Sequence, residues 1–119
     1  MINVKNQVYR ALRGVCRNVT DMYPKKDAEF PAILYVEEQN AVQGWTDNRE
    51  YVSKLRYRIE IYDRQSTSEL AVSVDQAVSA LGLRRCDCQD VQMEGIRCKL
   101  MRYEGLVDNT SEQVYQENY

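Results

Sequence analysis

Cys86 and Cys88 flank a single aspartate, Cys98 follows ten residues later, and Cys16 lies far upstream. On adjacent strands the first three could offer thiolates to a metal, with Cys16 as a fourth. Zinc sites, however, pair their cysteines two to four residues apart or add histidines at fixed spacing, and neither pattern is present. Cys86 and Cys88 would share one strand face, where cysteine behaves as a small, partly buried hydrophobe. The carboxylate clusters are Glu37-Glu38 and the Asp87/Asp90 pair. Neighbouring residues of a strand point to opposite faces, so Glu37 and Glu38 cannot both serve one metal. The chain has no histidine at all, which removes the commonest general base and metal ligand. Its five glycines form no phosphate-cradling cluster. The residues therefore predict no catalytic, cofactor-binding or metal site, and no enzyme.

The elements that would carry these residues are easier to read. The 119 residues suffice for one domain. A net charge of −2 gives no basic excess for nucleic-acid binding. No apolar run approaches the ~20 residues of a membrane span, and no signal-peptide core begins the chain, so cytosolic synthesis and reduced cysteines are expected. The organising stretch is 49–82. In its first part Tyr51, Leu55, Tyr57, Ile59 and Ile61 alternate with Lys54, Arg56, Arg58 and Glu60, the pattern of a half-buried antiparallel strand. Ser66 with Glu69 reads as a capping box. Leu70, Val74, Ala77, Val78 and Leu81 then form a helical stripe, and Gly82 stands where a left-handed cap wants glycine.

Before this stretch, Val4, Val8, Ala11, Leu12, Val15 and Val19 predict a helix over 3–21, with Arg10, Arg13 and Arg17 on its opposite side. That arginine stripe is a solvated face or a dock for an acidic neighbour. A strand over 30–38 follows with Pro31 at its mouth, apolar on both faces at 33–36, hence central or covered by another subunit. Residues 39–48 read as a loop or irregular hairpin around Trp45, the only tryptophan. Strands at 83–93 and 96–107 complete the sheet, with a β-bulge near Leu100 to absorb a slip in apolar phase. The fold expected is α+β, a mostly antiparallel sheet of four to five strands flanked by two main helices. Residues 1–107 form the domain and 108–119 a polar, mobile tail. Nine tyrosines against one phenylalanine suit apolar surface that is wet at one stage and buried against a partner later. Val72, Val52 and Tyr62 interrupt otherwise polar faces. Together with Gln39, Asn40 and Trp45 they are the candidate subunit interface.

Phe30-Pro-Ala-Ile-Leu-Tyr-Val-Glu-Glu-Gln-Asn40, the run from Arg56 to Asp63, Thr67-Ser-Glu-Leu70, the run from Val74 to Arg84, and Met101-Arg-Tyr-Glu-Gly-Leu106 suggest a family. Over roughly residues 1–107 the chain resembles the small tail terminator proteins of long-tailed, non-contractile bacteriophages (tail-completion or head–tail joining proteins, sometimes called minor capsid proteins). The resemblance implies an α+β subunit that assembles as a hexameric ring, caps the tail tube and presents a surface to the head connector. It implies the tail tube protein and the connector protein as partners, DNA only as passing cargo, no membrane, and a place in the virion after assembly in the host cytoplasm. Two other readings stay open. One is a different neck protein, such as a head-completion or adaptor ring member. The other is a cytosolic α+β ligand-binding or regulatory domain with a concave apolar pocket.

Overall fold

The computed structural model describes residues 3–21, 29–46, 49–108 and 114–115, with backbone alone at 44–46, 49–51 and 114–115. Two helices lie on one face of a mixed but mostly antiparallel sheet, an α+β fold. Helix α1 spans Lys5–Arg13 and α2 spans Ser68–Ser79. The strands are β1 (Asn18–Asp21), β2 (Ala32–Thr46), β3 (Arg49–Asp63), β4 (Arg84–Val91), β5 (Arg97–Asp108) and the two-residue β6 (Val114–Tyr115). Their spatial order is β1-β2-β3-β5-β4, with β6 also pairing with β5.

The alternation in β3 does what its period requires. Leu55, Tyr57, Ile59 and Ile61 are fully buried under the helices, while Lys54, Arg56, Arg58 and Glu60 face away. The antiparallel register with β5 runs unbroken from Val52 opposite Asp108 to Asp63 opposite Arg97. It therefore sets Met101 against Ile59 and Tyr103 against Tyr57 on the same buried face. Val8 and Leu12 of α1 and Ala71, Val74 and Val78 of α2 close the core from above. Each such side chain removed from water contributes about 1.5–3 kcal/mol before entropy is counted. The α2 stripe is turned slightly from the one expected: Leu70 and Leu81 are half-buried at its flank, and Ala71 takes the inner position.

Helix α2 is entered through Ser66, whose Oγ accepts the Ser68 N–H at 3.2 Å, while the Thr67 side chain makes no capping bond. It is left through Gly82 at φ 99°, a left-handed conformation that costs glycine little and other residues more.

Three expectations are corrected or narrowed. The first helix does not run over 3–21. It ends at Gly14, whose N–H still reaches the Arg10 carbonyl at 3.1 Å, and Asn18–Asp21 forms β1, parallel to β2. Val15 and Val19 kept the helical phase only because a four-residue step suits either reading, whereas Val19 and Thr20 are β-branched and favour the strand. Of the two readings of 39–48, loop or irregular hairpin, the hairpin holds: residues 39–46 are the outer part of β2, paired with β3 up to Thr46 opposite Arg49, and residues 47–48 lie outside the described residues. Register shifts at Glu37/Gln39, Val42/Gly44 and Gly44/Trp45 blurred the alternation there. The third is the bulge near Leu100, which does not exist. In β5, Cys98 and Leu100 belong to the outer face and Met101 and Tyr103 to the inner one, so apolar residues occupy both sides of a regular strand. The bulge sits instead in β4, between Arg85 and Asp87. Of the expected 108–119 tail, Asp108 ends β5 and Val114–Tyr115 pairs with Leu106 and Val107.

Candidate interaction surface

Because both helices lie on one side, no other element among the described residues covers the opposite face of the sheet. Over its central strands this open face is an ionic lattice. Glu38 is the unpaired residue of the bulge in β2, and its carboxylate accepts Arg102 Nε at 3.0 Å and Arg58 at 3.2 Å, with Arg56 Nε at 3.6 Å. Glu104 stands 3.8 Å from Arg56 and 3.9 Å from Lys54, Glu60 stands 3.6 Å from Arg58, and Asp87 stands 3.5 Å from Arg102. Four cations meet four carboxylates, so the lattice is neutral as a unit. Leu34 is buried on this face although its register partner, Glu60, is polar. Glu37, one residue earlier, faces the opposite way and accepts the Tyr57 hydroxyl at 2.9 Å. The two adjacent carboxylates thus divide between the faces, as strand geometry requires.

The tyrosines serve the subunit itself more than the sequence suggested. Tyr57 and Tyr103 are fully buried, and Tyr103 donates to Asp75 of α2 at 2.7 Å, tying that helix to the sheet. Burial, then the adjoining carboxylate, pushes both phenols well above their ordinary range. Tyr62, half-buried on the open face, is raised by burial first and then by the Glu60 charge, and its hydroxyl donates to Glu60 at 3.2 Å. At the edge of the helical layer the Tyr9 ring leans on Tyr35, and Lys5 bonds Asp21 at 2.6 Å, which raises the lysine.

The bulge in β4 separates the cysteines. Cys86 is the extra residue and lies beside Glu104 and Arg56 on the open face, its thiol donating to the Arg102 carbonyl at 3.4 Å. Cys88 is in register with Met101 and lies on the helix side. The two do not share a face, contrary to the expectation, because one inserted residue reverses the alternation. Cys98 is buried opposite Tyr62 and Val91, and burial raises its thiol, as it does that of Cys86.

The proposed interface residues scatter. Val72 is 59% exposed on the outer side of α2, with Gln76 and Ser79 exposed beside it, as expected. Gln39 lines an open depression with Glu38, Arg56 and Arg102, and Asn40 stands opposite Leu55. Val52 is only 7% exposed between Gly44 and Asp108, so it offers no wet apolar surface and leaves the set. Trp45 pairs through its backbone with Glu50, and its side chain lies outside the described residues. The sequence reading weighed Glu38 only as a metal ligand and passed over Arg102; the two lie 64 residues apart in the chain, and their meeting depends on a bulge that no local pattern announced. A second hollow, about 260 Å³, opens between the start of α2 and the β4–β5 hairpin, lined by Ser66, Thr67, Met93 and Cys98 among others. It is small beside the ~300–1,000 Å³ of small-molecule sites.

No family model matches the chain, and no curated protein does. Among solved structures, the fold is similar to that of a chain in the virion of a native gene transfer agent particle, with a TM-score of 0.61 at 14% identity. The likeness covers 89% of this chain and 95% of that one, so the two share the fold over nearly their whole lengths.

Proposed function

We propose that this protein is a structural component of a virion, a tail terminator that caps the tail tube as a ring and joins the tail to the head connector without turning over any substrate. The observation that carries the reading is the near-complete two-way overlap with a chain of a virion particle. The sequence resemblance to tail terminators points the same way. The surface chemistry agrees with it: the ionisable groups of the open face are committed to one another, and the exposed apolar groups lie on the rim and outer helix, where neighbours could cover them. Hexameric assembly, the tail tube protein and the connector as partners, and a place in the neck after assembly in the host cytoplasm all belong to this proposal.

The test is removal and restoration. Particles lacking the protein should give tails that fail to join heads or lose length control in electron micrographs, and purified protein should restore joined particles. Tails of normal length attached to heads in its absence would refute the function. Val72→Glu and Trp45→Ala should abolish capping while circular dichroism stays native; if both still yield joined, infectious particles, neither residue belongs to the interface.

A further inference from the structure

We infer that the hollow between the start of α2 and the β4–β5 hairpin is a carboxylate site, fitted to the chain end of a peptide whose last side chain is apolar. One wall is the beginning of α2. Its first backbone bond runs from the Ala71 N–H to the Thr67 carbonyl at 2.9 Å, so the N–H groups of Glu69 and Leu70 lie ahead of the helical ladder. The Ser68 N–H is met by Ser66 Oγ at 3.2 Å. A helix start of this kind carries roughly half a positive charge and attracts an anion. Thr67 lines the hollow and is only 5% exposed, yet its side chain makes no hydrogen bond among the described residues. Its backbone is already helical, at φ −90° and ψ −2°, whereas a side chain that caps a helix ordinarily sits on extended backbone. A buried hydroxyl in that state is destabilising unless something in the hollow bonds it.

The facing wall comes from the hairpin. Arg97 is exposed, lines the hollow and has no carboxylate at ion-pair distance among the described residues. Three carboxylates stand close in chain or register, and none takes it. Asp90, also in the wall, bonds Lys99 at 3.1 Å; Asp63 accepts the Gln65 N–H at 3.3 Å; Glu69 is exposed in the first turn of α2. A helix start, an unbonded hydroxyl and a guanidinium thus border one space of about 260 Å³, the volume of roughly nine waters at ~30 Å³ each. Met93, 44% exposed, and the half-buried Ile96 complete the lining. Inorganic phosphate or a nucleic-acid backbone would leave those two side chains unused, and the Asp90 charge disfavours a dianion. A single carboxylate on an apolar residue uses both walls, as chain ends do when backbone N–H groups capture them. Occupancy of the hollow does not depend on ring assembly, so either can fail alone.

The test is a titration of isotopically labelled full-length protein, followed by the amide signals in its NMR spectrum. The probes are N-acetyl-alanyl-leucine, the same peptide as its C-terminal amide, and inorganic phosphate. The free acid should shift the Thr67, Ser68, Glu69 and Leu70 signals in a saturable way. Capping the acid as the amide, Arg97→Gln and Thr67→Val should each weaken binding by about tenfold, the effect of one lost charge-assisted hydrogen bond. Thr67→Val should keep the native circular dichroism, since the hydroxyl bonds nothing in the free protein; if it does not fold, Arg97→Gln, at an exposed position, decides alone. Equal binding of acid and amide, or undiminished binding by the variants, overturns the carboxylate site. Phosphate bound as tightly as the peptide overturns the chain-end assignment, and no saturable shift with any probe overturns the site altogether.

Discussion

Removing one oxygen from Tyr103 tests how α2 is held. The ring sits between Tyr57 and Arg85 in the sheet register, wholly buried, and its hydroxyl ties it to the helix by donating to Asp75 at 2.7 Å. Tyr103→Phe keeps the packing and deletes the bond. A hydrogen bond to a charged acceptor contributes about 1.5–3 kcal/mol. Asp75, however, is 33% exposed and has Arg85 at 3.6 Å, so water and the guanidinium compensate in part. The expected loss is about 1–2 kcal/mol, a shift of roughly 5 °C per kcal/mol in Tm for a domain of this size. Urea unfolding followed by circular dichroism measures it, and Asp75→Ala closes a double-mutant cycle whose coupling should exceed about 0.5 kcal/mol. The pH dependence provides a second readout. The phenol is raised in the folded state, so its contribution is complete below the unfolded value near 10 and is lost as pH rises toward the folded one. Tyr57 and Tyr62 act in the same direction, so wild type should weaken above about pH 10 and Tyr103→Phe should weaken less steeply. Negligible coupling with Asp75, together with an unchanged alkaline slope, would refute the account.

Glu38→Gln should cost about 1–3 kcal/mol, more than an exposed ion pair, because three guanidiniums converge on a carboxylate whose side chain is only 22% exposed; chemical denaturation checks it, and a loss below about 0.5 kcal/mol would show the lattice to be ornamental. Gly82→Ala should cost about 1 kcal/mol at φ 99°, whereas Gly14→Ala, at a helical φ of −68°, should be neutral or stabilising unless the 3.3 Å approach to the Ala11 carbonyl dominates. Cys86→Ser with Cys88→Ser should leave stability within about 0.5 kcal/mol, while Cys98→Ser, which puts a hydroxyl into a buried site, should cost about 1–2 kcal/mol; stoichiometric zinc in protein purified without added metal would overturn this separation.

What could be read from the chain was whatever repeated regularly. The period-two run of β3 and the apolar stripe of α2 were legible because each sees one partner layer along its whole length, and Gly82 because few residues share its conformation. The failures fall where two patterns coincide or a pattern is interrupted. Val15 and Val19 fit helix and strand alike, and only pairing with Ile33 at the edge of β2 decides between them. Residues 39–46 lose their alternation through three register shifts, so a paired strand could not be told from a polar loop and the irregular hairpin stayed one of two readings. The open-face lattice was half visible. The alternating charges of β3 announced a polar face, but the convergence of Arg56, Arg58 and Arg102 on Glu38 is a tertiary product of the bulge that turns that glutamate. The placement of Val72 followed from helical geometry alone, whereas the burial of Val52 required knowing that β5 runs beside it as far as Asp108.

The irregular strands have a consequence for how this protein survives at high concentration. Strand β1 covers β2 only from Ala32 to Tyr35, so residues 36–46 present a backbone edge with no strand beside it among the described residues. Strand β4 presents the other edge with no strand beside it among the described residues. An uncovered edge is a template on which other chains can stack into aggregates. Both edges are interrupted, at Glu37/Gln39 and Val42/Gly44 in β2 and at Arg85/Asp87 in β4, so neither offers a long regular row of amide and carbonyl groups. Association through the backbone is thereby discouraged, which leaves contact between copies to side chains, where charge and shape can select the partner and the register.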